Sequence, residues 1–290
     1  MDIPQLLFNG LAIGSVIALA AVGLTLTYGI LRLSNFAHGD FMTLGAYLSW
    51  LANTNGLNIW LSTLIGAAGT VIAMFMSELL LWKPMRDRRA TSTTLIIISI
   101  GLALFIRNGI LFIWGGSNQR YDLPVVPAIP IGPIRVASDR LLVIGLSIIV
   151  IILLHFLLQN TKIGKAMRAV ADNIDLARVS GINVEKIVLW TWVINGVLTA
   201  LGGVMFGLIT GGVRPNMGWF LILPMFASVI LGGIGNPYGA IAGGVAIGMA
   251  QELSVPLLGA DYKLGVALSI TIFILLVRPQ GIFRGTIGTV

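Results

Sequence analysis

The sequence predicts an all-α protein that crosses a membrane about eight or nine times, with some short or broken helices. Of its 290 residues, 57% are hydrophobic and only 10% are charged, whereas a soluble domain usually carries about 25% charged residues. The mean hydropathy of +0.95 points the same way. Too little polar surface remains to cover a water-facing globule. We therefore expect residues 1–290 to form a single transmembrane domain in a lipid bilayer.

The candidate spans follow from the length of the apolar runs, because a helix needs about 20 apolar residues to cross the hydrocarbon layer. In chain order they cover roughly 5–30, 36–53, 58–82, 93–114, 141–159, 187–211, 219–234, 237–256 and 263–277. Three polar residues at its start weaken the prediction that the second run spans the membrane: Asn35, His38 and Asp40. A glycine-rich stretch, 231–244, interrupts the seventh and eighth. We expect at least one pair of short or broken helices.

The basic residues predict the orientation of these spans, because short loops rich in Lys and Arg lie on the cytoplasmic side. Such residues cluster at 83–89 and 162–186, and two arginines follow the last span. Counting spans between these clusters places the N-terminus outside and the C-terminus in the cytoplasm. The proline-containing linker 115–140 is then external, and its prolines favour extended backbone.

Two segments raise the possibility of an internal repeat. Residues 9–29 and 195–212 share an Asn-Gly start and a similar glycine spacing. Inverted repeats are common in transporters. Because the chain contains 36 glycines, chance similarity remains the alternative.

Segment 161–186 predicts an amphipathic helix on the cytoplasmic side. Thr161 is a favourable N-cap, Gly181 is expected to break the helix, and Asn183 is expected to cap the next one. Between them, one narrow apolar face consists of Ile163, Met167, Val170, Ile174 and Ala177. Such a face suits a solvated linker or a helix that docks into a groove of another protein.

Charged groups inside the spans are expected to face a partner or a cavity, because each costs about 2.5–3.5 kcal/mol near the bilayer centre. Glu78 is expected at the cytoplasmic interface, and Arg107 is expected to snorkel to the outer interface. A metal site at His38 and Asp40 is disfavoured, because the chain has two histidines and no cysteine and catalytic zinc normally has three protein ligands.

Two roles remain for the stretch around His38. In the first, Ser34 or Asn35 caps the second span at its cytoplasmic entry, and Asp40 complements the positive helix end, so that the stretch is a structural or gating element. In the second, His38 and Asp40 touch the solute directly.

The glycine-rich stretch 231–244 also has two interpretations. Its glycines permit positive φ and its proline restrains the turn, which suits a tight helical hairpin or broken backbone at an inner gate. We call the stretch around His38 and the stretch 231–244 the two breaks, and we expect them to approach one another near the inner mouth. The gate or translocation candidates are Asn35, His38, Asp40, Gly232, Gly233, Gly235, Asn236 and Pro237.

Four stretches resemble the permeases of branched-chain amino acid ABC importers: "YGILRLSNFAHGDF", "GKAMRAVADNIDLARVSGINVEKI", "LGGIGNPYGAIAGG" and "RPQGIF". Within the second, Asp175-Leu176-Ala177-x-x-x-Gly181 is similar to the EAA motif with which ABC permeases contact their ATPase. Asp replaces the usual Glu, Leu replaces the first Ala, and the downstream hydrophobic-Pro pair is missing. The resemblance implies ATPase coupling through Ile163, Met167, Val170, Ile174, Asp175, Ala177 and Gly181.

The resemblance implies a transport subunit rather than an enzyme, in a bacterial inner (plasma) membrane. Its expected partners are a second homologous permease, two cytoplasmic ABC ATPases that bind ATP and Mg, and an extracytoplasmic solute-binding protein. No nucleic acid is expected. The chain lacks a phosphate-binding G-x-x-x-x-G-K-[ST] loop, so no cofactor is expected in this chain.

Branched-chain or other neutral amino acids are the solutes that the family implies. Urea and short amides are the alternative solutes. A stand-alone secondary transporter or channel is the alternative class, but it requires its own coupling-ion site, and intramembrane carboxylates are few. A membrane enzyme is a third class, for which the sequence carries no G-x-S-x-G or H-E-x-x-H motif.

Overall fold

The computed structural model describes residues 3–124, 126–132, 134–278 and 280–283. Its helices are α1 (Ile3–Leu31), α2 (His38–Thr54), α3 (Ile59–Ser77), α4 (Lys83–Asp87), α5 (Ser92–Trp114), α6 (Ser138–Asn160), α7 (Lys162–Asp172), α8 (Ile174–Val179), α9 (Val184–Thr210), α10 (Met217–Gly232), α11 (Pro237–Leu253), α12 (Val255–Leu258) and α13 (Lys263–Val277). A π-helical turn, Glu78–Trp82, joins α3 to α4, and a 3-10 turn, Ala260–Tyr262, precedes α13. Strands β1 (Ile129–Ile131) and β2 (Ile134–Val136) form an antiparallel hairpin.

Seven helical segments of the described chain are long and apolar enough to cross a membrane: Ile3–Leu31, Ile59–Asp87, Ser92–Trp114, Ser138–Asn160, Val184–Thr210, Pro237–Leu258 and Ala260–Val277. α10 is a shorter apolar helix, and α2 has 17 residues. The predicted all-α polytopic class is confirmed, and α2 and α10 are its short helices. α2 tolerates His38 and Asp40 because protein, rather than lipid, surrounds its first turns.

α1 and α9 form the centre of the bundle. They run antiparallel, because Asn195 of α9 bonds to Thr27 near the end of α1, whereas Gly202 faces Ala20. On its other side α1 packs against α11 through glycine. A Cβ atom added to Gly248 would lie 2.3 Å from the Cα atom of Gly14, so only glycine permits this backbone approach.

Two groups of helices have matching contacts. The first group is α1, α2, α3 and α5, and the second is α9, α10, α11 and α13. α2 packs on α3 and α5, as α10 packs on α11 and α13. α1 packs on α10 and α11, as α9 packs on α2 and α3. Because α1 and α9 are antiparallel, this is the contact pattern of an inverted repeat. The Asn-Gly sequence match lies in the same two helices.

The π-helical turn encloses a buried carboxylate. Glu78 is 2% exposed, its carboxylate binds the Arg86 side chain, and it accepts a hydrogen bond of 2.8 Å from the indole N–H of Trp192. The prediction concerned its depth in the membrane; the structure adds that protein, rather than water or lipid, encloses the Glu78 carboxylate. A buried carboxylate needs such donors because its desolvation is costly.

The segment predicted as one helix from Thr161 to Gly181 is two helices, α7 and α8. Thr161 caps α7 as predicted. The break at Asn173 was missed: its side chain accepts from two backbone N–H groups at the start of α8, and such local bonds compete with a continuous helix. Gly181 has φ of +84°, and Asn183 caps α9, both as predicted.

The linker between α5 and α6 forms no helix among its described residues, as its prolines indicated. Gln119 pairs with Val213 of the α9–α10 connection through their backbones. The Tyr121 hydroxyl donates to the carbonyl oxygen of Ala46 at 3.2 Å, and burial raises the pKa of Tyr121 above its usual value. The linker therefore covers α2 and the end of α9.

Candidate functional site

The chain between α1 and α2 turns back along α1. Arg32 has φ of +52° just after α1 ends. His38, the first residue of α2, places Nε2 2.9 Å from the carbonyl oxygen of Ala20, near the middle of α1. Because a carbonyl only accepts, Nε2 carries the proton. α2 thus begins at mid-depth of the bundle, which corrects the predicted position of this stretch at a membrane interface.

The predicted caps of α2 are also wrong. The N-cap is Ala37, and no side chain caps the helix. Asn35 accepts from the backbone N–H of Ala37 at 3.1 Å, and Ser34 offers its carbonyl oxygen to Ser99 of α5 at 3.4 Å. Asn35 therefore stabilises the turn before α2, and Ser34 takes no part in capping.

The start of α2 meets the start of α10. A Cβ atom added to Gly39 would lie 2.3 Å from the carbonyl oxygen of Gly218, and one added to Gly218 would lie 1.8 Å from that of Gly39. The backbone N–H of Gly218 donates to the Thr43 hydroxyl at 3.0 Å. Two helix N-termini, each with partial positive charge, are thus in backbone contact at mid-depth.

Asp40 lies in the first turn of α2, as predicted, and binds Arg107 of α5. The Nε and Nη2 atoms of Arg107 each donate to one carboxylate oxygen at 2.9 Å. The guanidinium carbon lies 4.5 Å from the ring centroid of Trp219, in the first turn of α10. Arg107 therefore turns inward, and the expectation that it snorkels is wrong. Two parallel bonds offset much of the cost of burying these charges.

A cavity of about 710 Å³ opens beside Arg107, between α5, α9 and the start of α10. Its polar lining residues are Arg107, Asn108, Asn118, Thr210, Arg214 and Asn216. Its apolar lining residues include Leu111, Phe206, Pro215, Met217 and Phe220. A cavity of this size accommodates a small organic solute.

The second break is a tight helical hairpin. Gly232 ends α10, and Gly233 and Gly235 have φ of +98° and +90°. Asn236 caps α11 by accepting from two backbone N–H groups, and Pro237 is the first residue of that helix. The hairpin interpretation of this stretch therefore describes the local structure.

Both breaks contact α1, but at different levels. The backbone N–H of Gly235 donates to the Thr25 hydroxyl at 2.9 Å, whereas His38 bonds to Ala20. α2 begins against the N-terminal end of α10, whereas the hairpin lies at the C-terminal end of α10. α10 therefore connects the two breaks along its length.

The apolar face that was predicted to dock into another protein instead packs against helices of this same chain. Met167, Val170 and Ala177 are only 2–3% exposed, and Ile163 is half-buried. α7 packs on α1, α6 and α9. These side chains are buried because the membrane helices of the same chain cover the apolar stripe.

The part of segment 161–186 that keeps apolar side chains exposed is α8. Leu176 is 62% exposed, Val179 81% and Ile174 40%. Asp175 and Gly181 are exposed beside them. Apolar side chains that project from a short helix at one end of the bundle suit a groove on another protein.

Thr43, Gly218 and Trp219 were not predicted from the sequence. Nor were the polar residues that line the cavity beside Arg107: Asn108, Asn118, Thr210, Arg214 and Asn216. A signal for Gly218 and Trp219 exists in the chain. Gly-x-Phe occurs at the start of both short helices, as Gly39-Asp40-Phe41 and Gly218-Trp219-Phe220. Thr43 has no such signal, because its role depends on contact with α10.

Known proteins resemble this chain along nearly its whole length. The family model described as "Branched-chain amino acid transport system / permease component" matches residues 6–277. The high-affinity branched-chain amino acid transport system permease protein LivH of Salmonella typhimurium is 30% identical over 297 residues, which cover 96% of this chain and 94% of that protein. The corresponding permease protein BraD of Pseudomonas aeruginosa is 30% identical, with the same coverage of both chains.

A solved structure, PsaBC from Streptococcus pneumoniae in complex with Fab, resembles the fold. The match covers 97% of this chain and 93% of that chain, with a TM-score of 0.53 and 13% sequence identity. At this identity the likeness concerns the fold alone.

Proposed function

Because the chain belongs to the branched-chain amino acid transport permease family, we propose that it is a permease subunit of an ATP-driven importer for branched-chain or other neutral amino acids. The observation that carries the proposal is the contact of two short-helix N-termini at Gly39 and Gly218, beside the Arg107 cavity. In transporters, solutes bind at mid-depth where discontinuous helices meet. The translocation path therefore passes this contact.

A second, related permease covers the face that α5 and α10 present beside the cavity. Asn108 is exposed there, and Trp219 and Phe220 are 40% and 56% exposed. A polar side chain facing lipid at this level is unfavourable. The partner permease would shield it, and the solute would pass between the two subunits.

Two cytoplasmic ATPases, which bind ATP and Mg, contact the exposed face of α8. α7 transmits their motion, because its buried face rests on the membrane helices. Ala171 of α7 and Gly235 of the α10–α11 hairpin both approach Gly29 of α1. ATP binding would shift the equilibrium between two states of the bundle, and hydrolysis would reset it.

The proposed orientation places the N-terminus and linker 115–140 outside and segment 161–186 and the C-terminus in the cytoplasm, within a bacterial inner membrane. The basic loops carry this assignment. A solute-binding protein would then deliver the solute to the side on which the cavity opens.

The test is uptake by the complete complex in liposomes, containing both permeases, the ATPases and the solute-binding protein. We expect ATP-dependent uptake of labelled leucine that excess alanine or glutamine reduces and urea does not. Uptake of urea instead of leucine would support the short-amide alternative. Leucine uptake by this chain alone, without ATP, would contradict the proposal and favour a stand-alone transporter.

A further inference from the structure

The guanidinium group of Arg107 is held by one edge. Its five N–H donors form a planar fork, and Asp40 engages only Nε and Nη2. Among the described residues, no second acceptor is bonded to Arg107. Its side chain is 17% exposed, whereas that of Asp40 is 1% exposed, and Arg107 lines the cavity. Asp40 thus uses two of the five donors, and three remain on a side chain that lines the cavity.

The orientation of this fork is set by its neighbours. The Trp219 ring stacks on the guanidinium group, and Asp40 prevents rotation by binding two nitrogens. Asp40 and Trp219 are therefore positioning residues for Arg107. A planar donor edge held in this way matches the two oxygen atoms of a carboxylate.

The rest of the cavity lining combines apolar and polar side chains, and it includes a second cation, Arg214. Leu111, Phe206, Met217 and Phe220 supply apolar surface, and the side-chain amides of Asn118 and Asn216 supply polar groups. A solute with a carboxylate, a polar amino group and a branched apolar side chain meets complementary surfaces here. Urea has neither the carboxylate nor the apolar group.

We propose that this cavity binds an aliphatic amino acid, with its α-carboxylate on the free edge of Arg107 and its side chain on the apolar wall. This inference rests on the proposed function and names the place where the solute binds in this chain. The Asp40–Arg107 pair stays intact during binding, because the carboxylate uses donors that Asp40 leaves free.

The chain has no cysteine, which allows binding to be measured without transport. In the purified complex, Thr210→Cys places one thiol on the cavity wall, and its rate of maleimide labelling reports occupancy. We expect leucine and 4-methylpentanoate to slow labelling about tenfold at about ten times their dissociation constants. 3-Methylbutylamine and urea should leave the rate unchanged. Thr54→Cys, at the far end of α2, is the control and should not be protected.

Two variants separate binding from folding. Arg107→Gln alone leaves Asp40 buried and unpaired, so the double variant Asp40→Asn/Arg107→Gln removes both charges together. We expect its Thr210→Cys form to be labelled at the parental rate without solute and to lose protection by leucine about tenfold or more. Arg107→Lys keeps the charge but loses the fork, and protection should weaken.

Protection that persists in the double variant, or protection by the amine equal to that by the acid, would overturn the inference. So would a complex that takes up leucine but shows no protection by it, and in that case the proposed function would stand. A complex that takes up only urea would instead reject the proposed function.

Discussion

Two glycines decide how closely the short helices approach. Gly39 and Gly218 face each other across a backbone contact that leaves no room for a methyl group. The same contact sets the distance between Asp40 and Trp219, which both hold Arg107. A single added carbon atom at this point therefore affects the packing and the site together.

We predict that Gly39→Ala destabilises the protein by about 1–3 kcal/mol, because the new methyl group meets the carbonyl oxygen of Gly218 and the helices must separate. Thermal unfolding in detergent and ATP-driven leucine uptake should both fall. Gly101→Ala in α5 is the matched control. A Cβ atom there meets nothing within 4 Å, and alanine favours a helix. Equal melting temperatures for the two variants would contradict the role assigned to Gly39.

At the scale of elements, α7 and α8 form one amphipathic segment, but the apolar side chains of α7 are buried and those of α8 are largely exposed. α7 buries Met167 and Val170 against the bundle, whereas α8 exposes Leu176 and Val179. Asn173 makes this possible, because the break re-orients the second helix. The buried half connects the segment to the membrane helices, and the exposed half is available to an ATPase.

We predict that Leu176→Ser/Val179→Ser keeps the chain folded but reduces co-purification of the ATPases, because both side chains are exposed in the isolated chain. Met167→Ser is the matched comparison and should cost about 2–5 kcal/mol of stability, since it empties a buried site. Melting curves and pull-down from the same preparations distinguish the two effects. Full ATPase association of the α8 variant would show that the ATPases contact a different surface of the chain.

At the scale of the whole molecule, α1 and α9 cross antiparallel in the centre and two related groups of helices surround them. This arrangement brings a short helix from each group to one contact at mid-depth. α10 then links that contact to the hairpin that lies beside α7. α7 and α10 both pack on α1, so α1 joins α7 to the helix that carries Trp219.

We predict the orientation from the positive loops: linker 115–140 outside and loop 83–91 in the cytoplasm. In intact cells a membrane-impermeant maleimide should label Ser117→Cys, whereas Arg88→Cys should react only after permeabilisation. Both positions are exposed, so access alone decides the result. The reverse pattern would show that the protein is inserted the other way round.

Local sequence predicted much of the fold, because hydropathy and capping depend on neighbouring residues. The apolar runs located the spans, Thr161 and Asn183 cap the helices that they were expected to cap, and Gly181 adopts positive φ. The resemblance of four stretches to one permease family agrees with the family model.

The tertiary structure alone decided where α2 begins, what Arg107 binds and what covers the apolar face of α7. The partners in these contacts are distant in sequence: Asp40 meets Arg107, and Gly39 meets Gly218. A hydropathy profile assigns each charge to lipid or water, but it does not represent a third environment, the protein interior. Asp40 and Arg107 occupy that environment because each offsets the cost of burying the other.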